Sequence, residues 1–256
     1  MNLRETTRDI IGQVEQQTGF PVQVIDDPDL TTTAVVHMAR GSVPAHIVRY
    51  KPSNTQPPDY LICYQCGFIL RLFANPPDAR FELSSAPAGQ TAVRDMVRTL
   101  FGRTMTAAQV SSIAQQFYSN LMVHLRSVPV GMRIATWLAD EYPELGQLER
   151  QQALADLRQA EEALQPRVQA ITPDFIYRVT HTINAAHAIF WARRLKQKSL
   201  EQPYLGAGFH QPGGELLDIW QQTSSSPSHD RDLIDAWAQA LDLAGWYQWT
   251  PYRSPS

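Results

Sequence analysis

The sequence is poor in cysteine, in net charge and in long apolar runs. Its 256 residues include only two cysteines, and the formal net charge is −3. Two closely spaced cysteines do not make a disulfide framework, and the lack of a basic surplus gives no support to a nucleic-acid partner. No apolar run approaches the roughly 20 residues that a bilayer-spanning helix needs, and the first residues lack the apolar segment of a signal peptide. We therefore expect a cytoplasmic protein with neither a membrane nor a nucleic acid as partner.

The apolar content predicts a real core of the α+β class. Hydrophobic residues make up 43% of the chain, enough for one large or two small domains. The β-branched run from Thr33 to Met38 and the alternating run from Ala45 to Tyr50 predict an antiparallel hairpin, in which the second strand is expected at the edge. From Thr91 the apolar spacing is helical, with Pro129 expected to break the chain. The pattern indicates a small N-terminal antiparallel sheet followed by a mostly helical body.

The segment from Tyr60 to Phe73 predicts a helix that is apolar on nearly all sides. Asp59 is a suitable N-cap, and Asn75 with the two prolines after it stops the helix. A helix without a polar face is usually buried. We therefore expect this helix to lie in the core of the N-terminal part.

Both cysteines, Cys63 and Cys66, lie inside this helix as a CxxC pair. A redox CxxC normally opens a helix, where the helix dipole lowers the pKa of the first thiol. Here the pair is several residues inside a helix expected to be buried, which raises a thiol pKa. A structural zinc site would need a second pair of ligands, and the sequence has none. The pattern favours two packed core cysteines, with a thiol redox function as the alternative.

The same helix also fits the spacing of a zinc-binding His-Glu-x-x-His motif with every chemical residue replaced. Tyr64 and Phe68 are four residues apart, as the two histidines would be, and Gln65 stands in the place of the glutamate. Tyrosine is a weak metal ligand, phenylalanine is none, and glutamine cannot act as a general base. Zinc hydrolysis is therefore not available from these three residues.

The order of elements resembles the ImmA/IrrE-like zinc peptidases over roughly residues 35–73. The resemblance rests on the strand His46-Ile47-Val48-Arg49-Tyr50, a short loop, and the helix Tyr60-Leu61-Ile62-Cys63-Tyr64-Gln65-Cys66-Gly67-Phe68-Ile69-Leu70-Arg71. Gly67 matches the small residue before the second histidine of that family, which lets the helix pack close to its neighbour. The resemblance implies a zincin-like core over residues 1–128 with this helix at its centre. A helical body (129–198) and a loop-rich C-terminal segment with a final helix and an aromatic tail (199–256) would follow.

Other metal ligands are hard to find in the sequence. The third ligand that the resemblance implies would come from a later helix, where Asp140 and Glu141 more simply occupy a solvated face. His181 is a further candidate, but His187 is rotated well away from it on the same helix. Histidines with local partners in a helix are the favoured interpretation. The tail from Trp246 to Tyr252 is expected to fold back on the core, with a partner-binding role as the alternative.

The sequence thus predicts a catalytically inactive, metallopeptidase-like protein that binds a protein or peptide and needs no cofactor. The resemblance implies a regulatory role in a mobile-element, stress or defence context. Two alternatives remain open beside the thiol redox protein. One is an active zinc peptidase with unusual ligands, such as Tyr64, Cys66 and a histidine. The other is a plain helical scaffold in which no strand runs along the central helix.

Overall fold

The computed structural model describes residues 3–53 and 56–255. Within them the chain forms helices joined by short loops, together with two small sheets. The helices are α1 (Glu5–Thr18), α2 (Asp59–Phe73), α3 (Pro87–Phe101), α4 (Ala107–Glu141), α5 (Gly146–Glu162), α6 (Pro166–Ala170), α7 (Asp174–Arg194), α8 (Gln202–Gly206), α9 (His210–Gln222) and α10 (Asp230–Ala240). The strands are β1 (Val22–Asp26), β2 (Ala34–His37), β3 (His46–Tyr50), β4 (Phe81–Ser85) and β5 (Tyr247–Pro251). The predicted α+β class with a helical body is confirmed.

The N-terminal sheet has the strand order β1-β3-β2. The predicted hairpin is confirmed, because β2 and β3 pair antiparallel with Val36 opposite Val48. β1 joins the other side of β3 in parallel, with Val24 also opposite Val48, so the sheet is mixed. The prediction that Ala45 to Tyr50 forms an edge strand is therefore wrong. Both sides of β3 are occupied, and β1 and β2 are the edges.

Contacts between Cα atoms divide the chain into two compact units that are not contiguous in sequence. The first unit contains Met1–Glu82, Arg133–Gln152 and Pro251–Ser256, and the second contains Leu83–Met132 and Ala153–Thr250. The sequence prediction had instead three consecutive segments, because it followed the chain order. α4 and α5 each contribute residues to both units.

Helix α4 runs through Pro129, where the sequence analysis predicted a break. It is a single helix of 35 residues. A proline inside a helix removes one backbone hydrogen bond and crowds the preceding turn, at a cost of about 3 kcal/mol. Here the flanking residues Leu125 and Met132 are buried, so packing opposes that cost. The indole Nε1 of Trp220 also donates a hydrogen bond of 3.0 Å to the carbonyl oxygen of Pro129.

The chain from Glu201 to Ser228 is more helical than its glycines and prolines suggest. The sequence predicted mostly loop with a short helix at Glu215 to Gln221, whereas α9 begins at His210. Pro212 lies in the first turn of α9, where a proline is tolerated. Gly213 faces α7 so closely that a Cβ atom there would lie 2.6 Å from the Cβ of Ala185. The glycine that looked like a loop residue is required by helix packing.

The C-terminal aromatic tail folds back, as expected. The carbonyl oxygen of Trp246 accepts a 2.6 Å hydrogen bond from the hydroxyl of Tyr118. The indole Nε1 of Trp249 donates a 2.8 Å bond to Asp235. Tyr252 is buried and hydrogen-bonded through its hydroxyl to a backbone carbonyl of the first unit. The tail is thus part of the packed structure.

Among the described helices, none combines the length and the apolar character that crossing a bilayer would take.

The α7–α9 contact gives a matched pair of substitutions. Gly213→Ala should lower the free energy of unfolding by about 1–3 kcal/mol, because the new methyl group would overlap Ala185 and the backbone of Ala186. Gly214→Ala, next to it in the same helix, meets nothing within 4 Å and should raise the free energy by about 0.5–1 kcal/mol. Urea unfolding followed by circular dichroism would measure both. Equal effects of the two substitutions would contradict the close contact.

Candidate functional site

Helix α2 is anchored at its start by a buried carboxylate. Asp59 is only 2% exposed, and its Oδ1 accepts hydrogen bonds from the backbone N–H of Arg4 at 2.8 Å and from the hydroxyl of Thr7 at 2.6 Å. Both donors belong to the first turn of α1 or the residue before it. Asp59 is the first residue of α2, and Pro58 holds the N-cap position that the sequence analysis gave to Asp59. The carboxylate therefore joins the starts of two helices, where a negative charge is favourable.

Cys63 and Cys66 lie on the buried side of α2. Both are fully buried free thiols. The Sγ of Cys63 is 3.7 Å from the hydroxyl oxygen of Thr7, so it continues the hydrogen-bonded chain that ends at Asp59. Burial raises the pKa of Cys63 to about 12; burial, and then the neighbouring Cys63, raise the pKa of Cys66 as well. Neutral thiols are poor nucleophiles and poor metal ligands, which favours core packing over a redox role.

Tyr64, Gln65 and Phe68 lie away from the cysteines and are half-buried. The rings of Tyr64 and Phe68 meet edge to face with centroids 5.5 Å apart. The ring of Tyr60 lies 5.9 Å from that of Tyr64 on the other side. These three aromatic side chains, spaced four residues apart, form a continuous row along one face of α2. We call Tyr60, Tyr64 and Phe68 the aromatic row.

The side chains at the positions of the implied zinc ligands do not fit a metal. Phe68 has no donor atom, and Gln65 offers only a neutral amide. Tyr64 and Cys66 are two residues apart in a helix and do not face each other, so the unusual ligand set considered from the sequence does not converge on α2. Throughout the described residues, no group of three His, Cys, Asp or Glu side chains could hold a metal ion. Asp140 and Glu141 are exposed, as expected.

His181 lies in the second unit, within the buried face of α7. It is 1% exposed, and its ring contacts Tyr177 at 4.2 Å and Phe209 at 5.5 Å between centroids. Burial lowers its pKa. His187 instead uses its Nε2 to accept a 2.8 Å hydrogen bond from Trp191. The two histidines have different ring partners, and His124 lies within electrostatic range of both. Among the described residues these side chains do not form a group that could hold a metal ion, which supports packed helix histidines.

Gly67 makes a close helix contact of the kind that the resemblance implied. A Cβ atom there would lie 2.5 Å from the side chain of Ile134 in α4, so α2 packs against α4 with no room for a larger residue. This contact buries one side of α2. On another side, α2 packs against β2 and β3. A strand therefore does contact the central helix, in contrast to the plain helical scaffold.

His46 is a buried residue of this unit that the sequence analysis did not single out. Its Nδ1 accepts a hydrogen bond from the N–H of Ala39 at 3.1 Å, and its Nε2 lies 3.1 Å from the hydroxyl of Thr18. The ring also meets Phe73 edge to face at 5.5 Å. Burial lowers the pKa of His46 to about 4, so the imidazole is neutral and structural. The feature of the sequence that could have identified His46 is its position in β3, a strand of alternating residues in which it falls on the buried side.

No protein-family model, no curated protein and no solved structure matches this chain.

The thiols provide a direct test of the buried side of α2. A pKa shifted from 9.0 to about 12 lowers the thiolate population of Cys63 about 1000-fold at neutral pH. Native protein at pH 8 should therefore react with a disulfide reagent far more slowly than the urea-unfolded chain, in which both thiols should react at once. The release of the coloured thiolate measures the rate. Rapid labelling of either cysteine in the native protein would contradict the burial.

His46 should make stability depend on pH in a defined window. Because its pKa is about 6.5 in the unfolded chain and about 4 in the folded protein, the unfolded chain binds more protons between these values. The contribution is complete above pH 6.5 and is lost as pH falls towards 4, by about 3 kcal/mol. Urea unfolding at pH 7 and pH 4.5 should show a smaller loss in His46→Gln than in the original protein. Equal losses would rule out His46 as the titrating group.

Proposed function

We propose that the first unit binds an extended peptide or protein segment and does not cleave it. The observation that carries this proposal is that Tyr64 and Phe68 of the aromatic row are half-buried, at the positions where a zinc peptidase would hold its metal. Tyr64 and Phe68 together offer a contact surface of aromatic rings; tyrosine is enriched at binding hot spots, and both residue types are enriched in interfaces. The resemblance to the ImmA/IrrE-like peptidases supplies the idea of a peptide cleft in this place.

Chemistry at this site is disfavoured by the side chains themselves. Hydrolysis of a peptide bond needs a group that takes a proton from water, and the amide of Gln65 has no such capacity. The thiols on the other side of α2 are buried and protonated, so they supply no nucleophile. What remains is binding, which requires only shape and apolar contact.

The edge strand β2 offers a second way to hold a peptide. In the described residues β2 pairs only with β3, so its outer side has main-chain groups that are available to another strand. Short edge strands are a common place for an added peptide strand, where main-chain hydrogen bonds provide affinity and side-chain contacts provide specificity. Because α2 packs against β2, the aromatic row of α2 and the outer edge of β2 belong to the same part of the first unit. The sequence analysis expected β3 to be the edge strand. Because β3 is paired on both sides, the proposal assigns the edge that receives a peptide to β2.

A displayed library of random 12-residue peptides, selected on the full chain, tests the proposal. We expect selected peptides to bind the original protein and to lose at least about tenfold in affinity with Tyr64→Ser or Phe68→Ser, since each removes an aromatic contact. Val123→Ser is the matched control, because Val123 is 52% exposed and lies on α4, outside the aromatic row. Equal binding by all variants would refute the proposed surface.

Two further measurements on a selected peptide separate the parts of the proposal. Methylation of single backbone nitrogens should weaken binding at alternate positions if the peptide pairs with β2, because only every second N–H faces the neighbouring strand. Mass spectrometry after long incubation with added Zn²⁺ should show the peptide intact. Cleavage that is lost in Cys66→Ala would instead favour the active zinc peptidase.

A further inference from the structure

The hydrogen bonds of β2 show which of its main-chain groups face away from the sheet. The N–H of Lys51 donates to the carbonyl oxygen of Thr33 at 2.9 Å, in line with the register of β2 on β3. In an antiparallel pair, the main-chain groups of every second residue are directed at the partner strand. The groups of Thr33 and Val35 are therefore directed at β3, whereas those of Ala34 and Val36 point outwards. In the described part of the chain, β2 has no neighbouring strand on that side.

The two edges of this sheet are protected to different degrees. At the β1 edge, the N–H of Val22 is already bonded to the carboxylate of Glu15 at 2.9 Å, and the acidic Asp26 ends the strand. Charged side chains at an edge oppose pairing with another strand. From Ala34 to His37, β2 contains no Asp, Glu, Lys, Arg or Pro. It therefore keeps an edge to which a further strand can add.

The side chains of β2 are compatible with pairing to an identical strand. Residues directly opposite each other in a sheet point to the same face. Val35 lies opposite the exposed Arg49, and Val36 lies opposite the buried Val48. Val35 is thus on the outer face, and Ala34 and Val36 are on the face towards the core. In an antiparallel pair centred on Val35, the two Val35 side chains meet on the outer face, and Ala34 lies opposite Val36 of the second copy.

We propose that two copies of this chain associate through β2, antiparallel about a two-fold axis at Val35. The outward main-chain groups of Ala34 and Val36 would exchange about four hydrogen bonds with those of the second copy. The carbonyl oxygen of Ala34 also accepts a long bond of 3.4 Å from the hydroxyl of Thr32, and its second lone pair remains for the new bond. The two N-terminal sheets would become one continuous sheet. Association would close the edge that the proposed function assigns to a peptide.

The size of the contact predicts a weak and reversible dimer. β2 has four residues, whereas a stable interface buries about 1,200–2,000 Å² and uses about 20–30 residues on each side. A contact through one short strand belongs to the weak, transient class. A peptide that pairs with β2 in a single copy should therefore shift the equilibrium towards the monomer. This competition rests on the proposed function, whereas the pairing of two copies does not.

Sedimentation velocity of the full chain, from about 1 μM to about 1 mM, tests the association. We expect a dimer at the upper end, and Val35→Glu should weaken it at least about tenfold, because two carboxylates would face each other. Within its own chain the new carboxylate lies opposite Arg49, so circular dichroism should show the fold retained. Ile25→Glu is the matched control, because Ile25 lies opposite the same Arg49 from β1, away from the β2 edge. A monomer at every concentration, or equal effects of the two substitutions, would overturn the proposal.

A mixture of opposite charges tests the two-fold contact itself. Val35→Lys should dissociate the dimer as Val35→Glu does, and an equimolar mixture of the two variants should associate, since unlike charges then face each other. A mixture that stays monomeric would refute the register. Amide hydrogen exchange of the unsubstituted chain should show that the N–H groups of Ala34 and Val36 become protected as the concentration rises. The N–H of Val35 should be protected throughout, and the same concentration dependence at all three would contradict the pairing.

A synthetic peptide with the sequence of residues 31–39 separates this inference from the proposed function. It should bind the full chain and lower the dimer fraction, and a scrambled peptide of the same composition should do neither. A dimer that no peptide displaces would refute the use of β2 for peptides and leave the dimer standing. Peptide binding to a chain that is monomeric throughout would refute the dimer alone.

Discussion

Helix contacts that leave no room for a side chain set the structure of each unit. Gly67 of α2 lies directly against Ile134, and Gly213 of α9 lies directly against Ala185. At such distances even a methyl group overlaps its neighbour, so the rotation of each helix about its own axis is fixed. For α2 this rotation decides which side is buried. The cysteines therefore face the core, and Tyr64 and Phe68 of the aromatic row are left half-buried on another side.

Burial then determines the chemistry that the first unit can offer. Desolvation raises the pKa values of Cys63 and Cys66 and lowers that of His46, so all three groups are neutral near pH 7. Neutral thiols and a neutral imidazole with two hydrogen-bond partners stabilise a core and transfer no protons. The buried carboxylate of Asp59, which joins two helices, accepts hydrogen bonds from the N–H of Arg4 and the hydroxyl of Thr7. Our proposal therefore places the function of this unit at its surface, where an extended chain would bind.

In the second unit, the buried tyrosine hydroxyl groups differ in whether they have a partner. Tyr118 and Tyr177 use their hydroxyl groups to hold the structure together, whereas the hydroxyl of Tyr204 is buried without a hydrogen-bond partner among the described residues.

The sequence by itself determined the features that depend on neighbours along the chain. Alternation predicted the β2–β3 hairpin, apolar residues on all sides predicted the buried α2, and the small Gly67 predicted a close helix contact. It also excluded zinc chemistry at Tyr64, Gln65 and Phe68, since that follows from residue type alone. Tertiary structure decided the rest. β1 closed the free side of β3, packing carried α4 through Pro129, and the contact with α7 drew Gly213 into a helix. In each case the stabilising free energy came from contacts with residues that are distant in sequence. Local propensity does not include such contacts.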